Sequence, residues 1–155
     1  MLRRSGLQAL QALLELARHG EAWSSVSAIA AAQELPPPML EQLLIQLRRA
    51  GLVQSRRGRQ GGYRLSRAPA AIPVAEVLEA VGAPVRISAD RNADQNEEPN
   101  SGQAPRAEAE VLSSMGRRLQ NAIERELRQL TLQELLFDLE SWQEYLNNAG
   151  GVMLG

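Results

Sequence analysis

Apolar residues recur at spacings of three and four along several stretches of the chain, and each such stretch predicts an amphipathic helix. In the first half, the pattern predicts helices over about residues 5–19, 27–33 and 37–50. The third begins within a run of prolines at positions 36–38, because proline is tolerated only in the first turn of a helix. Leucines at positions 40, 43, 44 and 47 form one stripe along it, and this stripe predicts the face that packs against the core.

A different pattern follows the third helix. The segments LVQS and YRLS are short and favour strands, and they flank the turn RRGRQGG at residues 56–62. This turn is longer and richer in glycine than a tight hairpin turn. A further helix is predicted to open at Pro73 and to end at Gly82.

A polar segment at residues 84–106 interrupts the helical pattern, and we predict that it is an acidic linker or mobile loop. Beyond it, apolar residues step by threes and fours over about residues 107–130, which predicts a long amphipathic helix. Thr131 and Glu134 resemble a capping box at the start of a final helix. The apolar face of that helix consists of Leu132, Leu135, Leu136, Leu139, Trp142 and Leu146.

Composition excludes several kinds of site. The 155 residues include no cysteine, so disulfides, thiolate-ligated metal sites and cysteine nucleophiles are excluded, and we predict neither a metal site nor a cofactor. One histidine, no glycine-rich nucleotide loop after a strand, and no carboxylate pair at a defined spacing argue against an enzyme. No run of 18 apolar residues is present, so we predict no membrane span and expect the chain in the cytoplasm.

Charge is divided unevenly along the chain. The net charge of −1 combines residues 1–70, with ten Arg and four Glu, and residues 71–155, with seven Arg and fourteen Asp or Glu. Such an asymmetry is typical of a chain in which one part faces a polyanion. All 17 basic residues are arginine, whose guanidinium suits bidentate contacts to phosphate and guanine.

The order of the predicted elements is helix, short helix, helix, strand, Arg/Gly turn, strand, which is the order of a winged helix-turn-helix. We therefore predict a mainly α fold, with a winged helix-turn-helix DNA-binding domain over residues 1–83 and a two-stranded wing. Residues 84–106 would form the linker, and residues 107–155 would form the long helix and the C-terminal helix.

In such a fold the third helix is the recognition helix, and it presents Glu41 and Gln42 at its exposed start. Gln can bind adenine bidentately, and Glu can accept a hydrogen bond from cytosine. A serine at the start of the preceding helix can meet a phosphate, and arginines among glycines can enter a narrow minor groove. The predicted DNA-binding residues are Ser27, Pro38, Glu41, Gln42, Arg49, Arg56, Arg57, Arg59 and Gln60.

Each of these features also has a simpler interpretation. An Arg-rich turn taken alone is more often a solvated loop than a DNA contact. Glu41 can serve only to stabilise a helix N-terminus, and Ser27 can serve only as an N-cap. The ordered combination favours DNA binding, and the alternative function is a winged-helix protein-interaction adaptor without specific DNA binding.

The stretch LEQLLIQLRRAGLVQSRRGRQGGYRLSR, with GLQALQALLELA before it and IPVAEVLEAVG after it, resembles a group of bacterial winged-helix regulators. The group includes the iron–sulfur cluster regulator, the nitric-oxide-sensing repressor and the cysteine-metabolism repressor. The resemblance spans about residues 5–82, and its R-G-x-x-G-G-Y-x-L wing motif at residues 57–65 is quite specific.

This resemblance implies a homodimeric regulator of double-stranded DNA, with Glu41 and Gln42 at the major groove and Arg57 in the minor groove. It implies that the long helix pairs with its mate, and a two-fold dimer suits a pseudo-palindromic operator. The dimer interface is then predicted at Leu112, Met115, Leu119, Ile123 and Leu127.

The chain departs from the sensory members of this group. Those members carry three cysteines in the loop before the long helix, where they hold an iron–sulfur cluster, and the corresponding loop here has none. The chain therefore resembles a cluster-less branch. Asp90, Asp94, Glu97 and Glu98 could hold a hard cation, but a solvated acidic loop is the more common arrangement.

Overall fold

A computed structural model describes residues 2–87 and 106–152 of the chain. Within these ranges the chain forms six α-helices, a short 3-10 helix and one antiparallel hairpin. The helices are α1 (Arg4–Arg18), α2 (Val26–Gln33), α3 (Pro37–Arg49), α4 (Val74–Ala80), α5 (Ala107–Gln129) and α6 (Leu132–Val152); the strands are β1 (Val53–Arg56) and β2 (Gly62–Leu65), and the 3-10 helix is Pro69–Ala71.

The predicted helices of the first half are confirmed, each to within about two residues at its ends. The alternative interpretation of Ser27 as only an N-cap is wrong. Ser27 does not cap α2, because the cap is Ser25, whose side-chain oxygen accepts a hydrogen bond from the Ala28 N–H at 3.1 Å. The helix therefore starts at Val26, and Ser27 lies exposed within its first turn.

The helix-turn-helix is held by leucines that lose all or nearly all contact with water. The turn between α2 and α3 is tight because Glu34 adopts a left-handed conformation, with φ of 54°. The next residue, Leu35, then donates its N–H to the Ala30 carbonyl at 2.9 Å and places its side chain in the core. The fully buried side chains here are Leu13, Leu16, Ile29, Leu40, Leu44 and Leu47.

The wing is a hairpin in which Val53 pairs with Leu65 and Arg56 pairs with Gly62. A third segment joins its edge, because the Ser24 and Tyr63 backbones exchange hydrogen bonds of 2.9 and 2.8 Å. The loop before α2 therefore acts as a short third strand, and it fastens the hairpin to the helical body.

The end of α5 and the start of α6 contact the domain formed by the first half of the chain. The Leu132 N–H donates to the Ile72 carbonyl at 2.9 Å, and the Val74 N–H donates to the Leu130 carbonyl at 2.8 Å. Leu132 is fully buried in a core that it shares with α1 and α4. At the start of α6 the Glu134 N–H donates to the Thr131 hydroxyl at 3.4 Å, which is the first half of the predicted capping box.

Candidate nucleic-acid interface

The recognition helix α3 has a buried face and an exposed face. The leucines at 40, 43, 44 and 47 point into the core, so the positions at spacings of three and four from Pro38 lie on the opposite side. Pro38, Glu41, Gln42 and Arg49 are all exposed on that side. The structure therefore brings the four predicted α3 contacts together on one solvent-facing edge.

The tip of the wing lies between Arg56 and Gly62, and its Gly61 N–H donates to the Gly58 carbonyl at 3.0 Å. Arg57, Arg59 and Gln60 are exposed there. Among the residues that the structure describes, no group accepts a side-chain hydrogen bond from Arg57 or Arg59. Two guanidinium groups at the tip are therefore free to bind an external anion.

Arg56 is held differently from the other two arginines of the turn. Its guanidinium donates to the Gln60 carbonyl at 2.8 Å, and its Cζ lies 4.8 Å from the centre of the Trp23 ring. The arginine on the second strand, Arg64, also stacks on Trp23, at 4.4 Å, and donates to the Gln54 side chain at 3.1 Å. Arg56 thus faces the body of the wing, although the sequence grouped it with the tip.

Sequence reasoning missed three residues of this region: Trp23, Arg48 and Arg64. Arg48 donates to the Ser55 hydroxyl at 3.2 Å and so ties the end of α3 to β1. The only available signal for Trp23 was a large aromatic residue in a loop of a chain that has five aromatic residues. Its partners could not be found, because they depend on a backbone pairing between distant segments.

Two groups of charged side chains form hydrogen bonds elsewhere in the domain. Glu15 is buried and accepts hydrogen bonds of 2.9 Å from Gln33 and from His19. Burial raises the pKa of Glu15, but these hydrogen bonds and the charge of Arg18 outweigh it and hold the pKa below its ordinary value of 4.5. The second group joins Arg67 to Glu76, and this bond raises the pKa of Arg67.

The predicted dimer residues on α5 differ in exposure. Leu112, Met115 and Leu119 are about half exposed or more, at 60, 52 and 47%. Ile123 is half-buried, and Leu127 packs against the core of its own chain. The uncovered part of the stripe is therefore the first half of α5, where Val111 is exposed as well.

The sequence matches the Rrf2 family, described as iron-dependent transcriptional regulators, over residues 2–138. The chain belongs to the Rrf2 family. This Rrf2 chain is 38% identical over 135 residues to a candidate HTH-type transcriptional regulator, slr0846, of Synechocystis sp., and the match covers 86% of each protein. It is 42% identical over 83 residues to the HTH-type transcriptional regulator IscR of Cereibacter sphaeroides, and that match covers 52% of this chain and 54% of IscR.

Solved structures of the Rrf2 type extend the likeness to nearly the whole chain. The T. potens IscR structure has a TM-score of 0.70 at 33% identity and covers 92% of this chain and 90% of its own. The structure of CymR, the global cysteine regulator of B. subtilis, has a TM-score of 0.68 at 29% identity and covers 88% and 95%. The winged-helix fold and the predicted family are confirmed, and the chain is a DNA-binding transcriptional regulator of the helix-turn-helix type.

The iron in the family description raises the question of whether this Rrf2 chain can hold an iron–sulfur cluster. Such clusters are held chiefly by cysteine thiolates, and the chain has no cysteine. Across residues 2–87 and 106–152, no three His, Asp or Glu side chains are grouped closely enough to hold a metal ion. The acidic residues Asp90, Asp94, Glu97 and Glu98 lie outside the described residues. The residues of this chain therefore do not fit a thiolate-ligated cluster.

None of the helices in the described part of the chain combines the length and the apolar character that crossing a bilayer requires.

Proposed function

We propose that this Rrf2 chain is a homodimeric, sequence-specific transcription regulator that places α3 in the major groove and the wing in the minor groove of one DNA face. The observation that carries the proposal is the presence of two exposed surfaces on one domain. One is the polar edge of α3, and the other is the tip of the wing with its free Arg57 and Arg59. The alternative adaptor function has no matching observation, because an adaptor does not need free guanidinium groups at a glycine-rich tip.

On this proposal Gln42 and Glu41 recognise the bases. Both side chains are exposed in the first turns of α3, which is the part of a recognition helix that reaches base edges. Gln42 would favour adenine, and Glu41 would accept from the amino group of cytosine. Ser27, exposed in the first turn of α2, and Arg49, at the end of α3, would contact phosphates.

On this proposal the dimer forms through the first half of α5. A monomer would leave Val111, Leu112, Met115 and Leu119 open to water, and a helix with such an apolar stripe is stabilised when a partner covers it. Pairing through a two-fold axis would place two α3 helices on one DNA face, separated by about 34–36 Å or a multiple of that distance. The operator would then be pseudo-palindromic.

Regulation on this proposal proceeds without a thiolate-ligated cluster, because the chain has no cysteine to ligate one. Some other signal would set the affinity of the dimer for its operator.

The test is DNA binding measured on a duplex selected from a random-sequence library with the full-length protein. Arg59→Ala removes one phosphate or groove contact per protomer, so the slope of log affinity against log salt should become shallower by about 2 per dimer. Arg57→Ala should reduce the preference for the selected duplex over a scrambled one. The matched control is Arg128→Ala, which removes an exposed arginine at the end of α5 and should leave the slope unchanged.

Two results would contradict the proposal. One is a selection that returns no enriched sequence and a protein that does not shift any duplex at low salt. The other is an equal effect of the wing variants and of the α5 control. Either result would favour the adaptor function.

A further inference from the structure

Trp23 carries two guanidinium groups on its ring, and this cluster belongs to no function described above. The Cζ atoms of Arg56 and Arg64 lie 4.8 and 4.4 Å from the ring centre, both within the range of a cation–π contact. The tryptophan is half-buried, whereas Arg56 is exposed. The ring therefore joins the loop before α2 to both strands of the wing.

The strand register explains why these three side chains meet. Ser24 pairs with Tyr63 in antiparallel fashion, so continuing that register by one residue sets Trp23 beside Arg64. Arg64 pairs in turn with Gln54, and Arg56 lies two residues further along β1 on the same face of the hairpin. The stack is thus a row of neighbours across three strands.

Arg56 connects this row to the tip. Its guanidinium stacks on Trp23 and also donates to the Gln60 carbonyl at 2.8 Å, inside the turn that carries Arg57 and Arg59. Movement of Arg56 away from the ring would remove one of the two guanidinium contacts of Trp23 and the hydrogen bond from Arg56 to the turn. A wing that samples several positions binds DNA more weakly in proportion to the fraction of molecules in the competent position.

We propose that Trp23 is the positioning residue of the wing: it holds Arg56 and Arg64 against the body, so that Arg57 and Arg59 are presented to the minor groove. The inference rests on the proposed DNA-binding function. On this inference Arg56 supports the position of the wing, and it is not one of the residues that contact the groove.

The cation–π contact can be separated from simple apolar coverage. Phe keeps an aromatic face for the two guanidinium groups, whereas Leu covers a similar surface without one. Trp23→Leu should weaken binding to the selected duplex about tenfold, which corresponds to about 1.4 kcal/mol, and Trp23→Phe should restore most of the loss. The matched control is Trp142→Leu, which removes the other tryptophan, an exposed residue on α6, and should bind as the parent does.

A second measurement needs no DNA. In a Trp142→Phe background Trp23 is the only tryptophan, so the long-wavelength tryptophan bands of near-ultraviolet circular dichroism and the tryptophan fluorescence report on its ring alone. Substituting methionine for both Arg56 and Arg64 should change both signals, because the ring loses its two cationic neighbours. This measurement also serves if Trp23→Leu does not fold.

Each outcome decides a specific point. If the parent protein binds no duplex, the proposed function fails. If the parent binds but Trp23→Leu binds equally well, or if Phe and Leu weaken binding to the same extent, the positioning role of Trp23 is refuted and DNA binding stands. A Trp23 spectrum unchanged by loss of both arginines would refute the stack itself.

Discussion

Replacing Gly62 with alanine tests how the wing is fixed to the body. Gly62 has a φ of 136°, a conformation that is strongly unfavourable for any residue with a side chain. An added Cβ would also lie only 2.5 Å from the carbonyl carbon of Ser24. The change therefore strains the backbone and pushes away the segment that pairs with Tyr63.

The cost can be worked from these two effects. An unfavourable φ of this kind costs about 1–3 kcal/mol. Moving Ser24 breaks the two backbone hydrogen bonds that it exchanges with Tyr63, at 2.9 and 2.8 Å. Each such bond stabilises a fold by about 0.5–1.5 kcal/mol. Gly58→Ala is the matched control, because Gly58 also has a positive φ, 109°, but an added Cβ there meets nothing within 4 Å.

The assay is chemical unfolding followed by circular dichroism, with DNA binding measured on the same samples. Gly62→Ala should lower the free energy of unfolding by roughly 1–3 kcal/mol more than Gly58→Ala does, which is the contribution of the two hydrogen bonds. It should also weaken DNA binding beyond the control. Equal free energies of unfolding for the two variants would refute the reasoning, because the contact with Ser24 would then contribute nothing.

Other predictions concern single side chains. Ser25→Ala should destabilise the fold by about 1 kcal/mol through loss of the α2 cap, whereas Ser27→Ala should have little effect, and thermal unfolding of the two variants checks this. Because the pKa of Glu15 is lowered in the folded state, its stabilisation is present above pH 4.5 and is lost as the pH falls through the lower folded value. In Glu15→Gln the free energy of unfolding should therefore decrease less as the pH falls below 4.5. The same decrease in the variant and the parent, measured by unfolding at several pH values, would contradict this. Met115→Glu should convert the proposed dimer to a monomer in light scattering, because it places a charge on the exposed α5 stripe.

Periodicity in the sequence was sufficient to predict the helices and their order. The stripe at positions 40, 43, 44 and 47 indicated the buried face of α3, and it therefore also indicated which residues of α3 remained exposed to solvent. The turn could be predicted because consecutive glycines and arginines between two short strand-like segments have few structural uses. These signals are local, so they can be read without knowledge of the tertiary structure.

Features set by distant pairing could not be predicted in this way. Ser24, Ser25 and Ser27 are all chemically able to cap a helix, and the choice of Ser25 depends on where the chain leaves the pairing with Tyr63. The stacking of Arg56 on Trp23 has the same origin, because that pairing brings Trp23 to Arg56. The apolar stripe of α5 posed another problem: its spacing is the same at Leu112, which is exposed, and at Leu127, which packs on the chain's own core.

Gly61 and Gly62, at the end of the turn, are positions where the neighbouring main chain lies too close for a side chain. A Cβ at position 61 would lie 2.8 Å from the carbonyl carbon of Arg56, so this bend requires a residue without a side chain at position 61. The side chains at 57, 59 and 60 are exposed and contribute little to packing. On the proposed function, substitutions at those three positions would alter DNA binding while leaving folding almost untouched, so affinity for an operator could be varied at the tip separately from stability.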